Sequence, residues 1–130
     1  MDHPGELKYR YLTPNGLERS LAAGRTVEQW LGARREGDFR VLKWLSIERE
    51  HDGRTLLRVC DVLDDGGPDF HDVYEFTPYD AEAEFGVEQT FETPEEALEY
   101  AMSKLGADPT RFTGEGMVQV EYADYLKTRD

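Results

Sequence analysis

The sequence predicts an α+β fold: a four-stranded antiparallel β-meander packed with N-terminal and C-terminal helices, in a single domain over residues 1–130. Three observations predict it. Segments 39–50 and 54–63 alternate in polarity on either side of His51-Asp52-Gly53, as the strands of a hairpin do. Residues 93–106 carry both the start and the stop signals of a helix. Residues 117–127 then place Val118, Tyr122, Tyr125 and Leu126 at helical spacing.

Taken in order, Thr13-Pro14-Asn15-Gly16 reads as a turn. A short helix follows, with Leu17 and Leu21 on one face, ending near Gly24. Thr26 reads as an N-cap with Gln29 as its capping-box partner, which predicts a second helix. Val27, Trp30 and Leu31 supply its apolar stripe, Arg34 and Arg35 suit its negative end, and Gly37 stops it.

The hairpin register follows from its faces. A three-residue loop with Gly53 at positive φ sets Glu50 opposite Arg54 and Lys43 opposite Asp61. Val41, Leu45, Ile47, Leu57, Val59 and Leu63 then share a core face. A two-residue turn would scatter apolar and charged side chains over both faces. The other face collects Leu42, Trp44, Cys60 and Val62, a patch too apolar to leave in water. Helices of the same chain are the expected cover, and a second copy in a homodimer is the alternative.

Residues 64–72 form a polar, turn-rich loop. A third strand is predicted over 73–77, with Tyr74 and Phe76 on one face and Pro78 as its end. A fourth covers 85–91, where Phe85, Val87, Gln89 and Phe91 alternate with Gly86, Glu88 and Thr90. Thr93 then caps a helix, Pro94 suits its first position and Glu96 completes a capping box. Ala97, Leu98, Ala101, Met102 and Leu105 form its buried stripe, and Gly106 closes it.

Composition narrows the function classes. The chain has 130 residues, 38% hydrophobic and 33% charged, enough to build one core. No apolar run approaches the ~18 residues of a membrane span. The segment Met1 to Glu6 lacks the pattern of a signal peptide. The single cysteine, Cys60, excludes an internal disulfide and a multi-cysteine zinc site. A reducing, cytoplasmic setting is the expectation.

Charge is the strongest signal. The formal net charge is −13, and it is unevenly spread. Residues 1–60 balance at +2 and residues 61–130 at −15. No Lys or Arg lies between Arg58 and Lys104. Such a field repels nucleic acid and anionic membranes, and draws in basic proteins and cations.

Candidate chemistry is sparse. Asp61, Asp65, Gly66, Asp69 and Asp72 fall at positions 1, 5, 6, 9 and 12 of a calcium-loop template. Leu63 and Pro68 spoil it, the flanks read as strands, and Asp72 stands where a bidentate Glu belongs, so no metal and no cofactor is expected. His71 beside Asp72 could serve as an acid or base, although a lone loop histidine is usually a surface residue. Cys60 beside Trp44 is in a packing position. Lys43 opposite Asp61 reads as a cross-strand ion pair. Helices at 16–34 resemble a helix-turn-helix in spacing, but the anionic remainder opposes DNA binding. Paired tyrosines, Tyr9 with Tyr11 and Tyr122 with Tyr125, could line a groove. Phosphate-binding, nucleophile-elbow and zinc-protease motifs do not occur.

The first functional expectation is therefore a non-enzymatic, acidic protein–protein interaction or regulatory module that binds a basic protein. Its expected contact residues are Asp64, Asp65, Asp69, His71, Asp72 and Glu75. The alternative is a small ligand-binding protein or enzyme with a cleft near Asp61, His71 and Asp72. A structural homodimer joined through Leu42, Trp44, Cys60 and Val62 is the third.

Overall fold

A computed structural model describes residues 10–83 and 86–129. The element order is α1 (Pro14–Ala22), β1 (Val27–Glu36), β2 (Phe39–Arg49), β3 (Thr55–Leu63), β4 (Val87–Phe91), α2 (Pro94–Leu105), β5 (Thr113–Gly114) and α3 (Val118–Leu126). Short 3-10 turns occupy Val73–Glu75 and Ala81–Ala83. The strands form one antiparallel sheet in the order β4-β3-β2-β1-β5. The α+β meander is as expected, with five strands in place of four.

The central hairpin has the predicted register. Lys43 pairs with Asp61, and Trp44 with Cys60. The Glu50 N–H donates to the Arg54 carbonyl at 2.7 Å, so the loop has three residues. Gly53 sits at φ 86°, a left-handed conformation that a side chain would strain.

Two predicted elements are different. The predicted helix after Thr26 is instead the strand Val27–Glu36. Val27 to Glu36 pair with Ile47 to Phe39, and the register shifts between Trp30 and Gly32. Val27 and Leu31 pack on one face of the sheet and Trp30 on the other, so a strand buried on both faces imitates the apolar spacing of a helix. Pairing along the length of β2 outweighs the local capping signal. Residues 73–77 are not a strand. The Asp72 carboxylate accepts the Tyr74 N–H at 3.2 Å, and the Glu75 N–H donates to the Asp72 carbonyl at 3.0 Å, winding the segment into a 3-10 turn. Thr77 to Tyr79 then meet the sheet edge, where the Leu63 N–H donates to the Thr77 carbonyl and the Tyr79 N–H to the Asp61 carbonyl. The predicted strand over 85–91 begins at Val87, and Phe85 lies outside the described residues.

Thr13 to Gly16, read as a turn, is the capped start of the first helix, and Thr93 caps the second as expected. Thr13 accepts the Gly16 N–H and starts α1. In α2, the Thr93 hydroxyl accepts the Glu96 N–H and donates to the Glu96 carboxylate, both at 3.2 Å. Gly106 closes α2 in the left-handed conformation.

Each sheet face carries its own core. On one, Val27, Leu45, Ile47 and Leu57 pack under Leu17 and Leu21 of α1 and Ala97 and Ala101 of α2. On the other, Leu42, Trp44, Cys60 and Val62 pack under Val73, Phe76, Val118 and Tyr122. The second face is thus covered by α3 and the 73–76 turn of the same chain. Both faces being buried explains the apolar density of β2.

Candidate functional site

The loop after β3 holds the residues that the sequence offered as contacts, and the fold divides them. Asp64 is braced inside the protein, with its side chain 2% exposed. The Tyr122 hydroxyl donates to its Oδ1, and the Arg129 guanidinium reaches its Oδ2 at 3.0 Å. Asp65 accepts the Thr77 N–H at 2.6 Å, and Asp72 caps the 3-10 turn. Gly66 passes so close to Tyr122 that an added Cβ would lie 2.6 Å from its hydroxyl. His71 is half-buried, with its ring edge-on to Tyr122 at 6.1 Å between centroids. Asp69 and Glu75 face solvent. Of the calcium-template carboxylates, Asp65 and Asp72 therefore hold the loop, whereas Asp69 faces solvent. No group of three or more His, Cys, Asp or Glu fit for a metal occurs among the described residues.

Asp61 has a different partner from the one expected. Lys43 lies opposite it in the register, but its ion pair is with Arg34 of β1, at 2.9 Å. Arg34 also holds Glu36 at 3.2 Å and lies over the Tyr79 ring.

A cavity of about 500 Å³ opens beside the loop, on the far face of β2 and β3. Trp44, Cys60, Val62, Val73, Tyr74 and Phe76 give it a largely apolar and aromatic wall. Arg58, Asp61 and Glu88 stand among its lining residues. Arg58 binds Glu88 at 2.5 Å and Glu48 at 3.5 Å. The wall includes Asp61 and Val73, the neighbour of Asp72, but neither His71 nor Asp72 itself. Burial pushes the Cys60 thiol up to about 11, which keeps it protonated and a poor nucleophile. Trp44 is 6% exposed, and its buried Nε1 has no hydrogen-bond partner among the described residues.

The solvent-facing acidic groups lie further along the chain. β4 is an edge strand, paired on one side with β3. Residues 87–90 are exposed, Val87 to 66%. No backbone pairing on its outer side occurs among the described residues. Asp80 and Glu82 precede it, Glu88 lies within it, and Glu92, Glu95, Glu96 and Glu99 follow into the first turns of α2, all exposed. Asp80, Glu82, Glu95, Glu96 and Glu99 enter no ion pair among the described residues. Many of the arginines are already engaged, including Arg10, Arg34, Arg58 and Arg129. The negative surplus is thus gathered around one strand edge. Sequence reasoning missed that edge because acidic residues in the loop and in β4 look alike as letters.

Compared with known proteins, the chain matches no family model, no curated protein and no solved structure.

Proposed function

We propose that the chain is a non-enzymatic binding module that takes an extended, basic segment of a protein partner along β4. The observation that carries this reading is the open β4 edge set among carboxylates. An edge strand presents unpaired N–H and C=O groups, and a partner strand satisfies them. Exposed Val87 offers an apolar contact on that edge. Glu82, Glu92, Glu95 and Glu99 draw Lys and Arg side chains to it and repel acidic competitors.

The test is capture of partners by the wild type and by a Glu92→Lys/Glu95→Lys/Glu99→Lys variant, at low and high salt. These side chains are exposed, so the variant keeps its fold. A basic partner held by the wild type at low salt, released as salt rises and absent from the variant supports the reading. A partner held equally by both proteins contradicts it.

A further inference from the structure

The open edge of β4 has two unlike sides. Every second residue of a strand shares a face. Arg58 therefore shares the far face with Cys60 and Val62, and so does Glu88, its partner in the register. Val87, Gln89 and Phe91 belong to the near face, where the Phe91 ring lies 5.4 Å from that of Tyr100 in α2. That near side is acidic. Glu95, Glu96 and Glu99 of α2 are exposed there, and exposed Glu92 follows the strand.

The far side of the edge is the cavity of about 500 Å³. Gly86 and Glu88 stand in its wall, together with Trp44, Cys60, Tyr74 and Phe76. Gly86 brings bare backbone against that wall, since a Cβ added to it would lie 2.9 Å from the Cys60 Sγ. The charged groups of the wall are already paired, Arg58 with Glu88 and Asp61 with Arg34. A charged side chain entering there would break one of these pairs or lose water without a counter-charge. An apolar side chain does neither.

We propose that the segment taken by β4 carries a two-residue pattern: Lys or Arg at alternate positions on the α2 side, and between them a long apolar side chain that enters the cavity. This rests on the reading that β4 takes an extended basic segment, and adds what that segment contains. An added strand lies about 4.8 Å from β4 and turns its side chains alternately to the two faces. Those on the near face meet the carboxylates of α2. Those on the far face, beside Gly86 and Glu88, meet the cavity. A methionine reaches across that spacing and adapts to an irregular wall, and an alanine is too short.

Three peptides test this on the wild-type chain, with blocked ends. The first is Lys-Thr-Lys-Met-Lys-Thr-Lys. The second has Ala in place of Met. The third, Lys-Lys-Met-Thr-Lys-Thr-Lys, has the composition of the first with Met in phase with most of its lysines. It sets either its methionine in the cavity or those lysines beside α2, not both. Binding is followed by the amide resonances of the full chain at low and high salt. The first peptide should bind roughly tenfold more tightly than either of the others, the worth of about two buried methylene groups. It should shift the Val87–Phe91 amides, and its Met methyl should show contacts to Val62 and Phe76. Equal affinity for the first and second peptides overturns the two-residue pattern. So does a third peptide that binds as tightly as the first, or a Met methyl without contacts to the cavity wall. If in those cases the peptides still shift the Val87–Phe91 amides and leave as salt rises, the β4 reading stands without the pattern. Peptides that leave those amides unmoved, or that do not bind, overturn both.

Discussion

Glu28 on β1 holds the phenol of Tyr74 through both carboxylate oxygens, across 46 residues of sequence. The same Oε1 accepts the Gly116 N–H at 2.9 Å and the Val118 N–H at 3.4 Å. Met117 at the start of α3 makes no side-chain cap, so a carboxylate from the sheet supplies it. One buried side chain therefore fixes both covers of the far sheet face, α3 and the 73–76 turn.

Glu28 gives the protein a pH signature. Burial raises its carboxyl above the usual 4.5, against hydrogen bonds from Tyr74, Val118 and Gly116 that lower it. A raised carboxyl pKa means that its contribution is full below 4.5, the unfolded value, and is lost as pH rises through the folded value. Glu28→Gln has no such titration. Urea unfolding of both proteins across this range should show the wild type losing stability relative to Glu28→Gln as pH rises. A difference that does not change with pH would contradict the assignment.

Asp64 and Asp69 belong to one acidic loop and should behave differently. Asp64→Ala strips the Tyr122 hydroxyl and Arg129 of their acceptor in a place where Asp64 is 2% exposed. The expected loss is about 3 kcal/mol in chemical denaturation. Asp69 faces solvent, and Asp69→Ala should stay within about 0.5 kcal/mol. Equal effects would mean that the loop is not braced as described.

The cap of α2 is a local device with a local effect. Removing the Thr93 hydroxyl leaves the Glu96 N–H without its acceptor. Thr93→Ala should cost about 1 kcal/mol. Its melting temperature should fall, and proteolysis should speed up at the start of α2 if the helix frays there. A melting temperature equal to the wild type would show that the cap is redundant.

Cys60 should resist thiol reagents in the folded protein at neutral pH. It is 8% exposed, and its thiol is raised from 9.0 to about 11 by burial. Folding is favoured by this group below pH 9.0, and that contribution is lost as pH rises towards 11. Labelling should follow global unfolding in denaturant. Rapid labelling without denaturant would contradict the burial of the far face.

The legible parts of the fold were those where local and long-range signals agree. The β2–β3 register followed from one constraint, that apolar residues must fall together on both faces, and Lys43 does oppose Asp61. Thr93, Pro94, Glu96 and Gly106 specify α2 within its own residues. β1 was not legible, because Val27 and Leu31 enter one core and Trp30 the other, and apolar residues on both faces imitate a helical rhythm. Residues 73–77 alternate as a strand would, but Asp72 turns them by capping. The candidate sites were the least legible. Nothing in the letters separates buried Asp64 from exposed Asp69. The cavity arises where a non-regular segment crosses Trp44 and Cys60, which no periodicity records.

The most direct test of the β4 reading is backbone amide hydrogen exchange over Val87–Phe91, with and without a captured basic partner. Addition of a strand to that edge predicts slowed exchange in β4, with the covered core strand β2 unchanged. Slowed exchange confined to the 64–76 loop or α3, with β4 unaffected, would contradict the account and place the partner elsewhere.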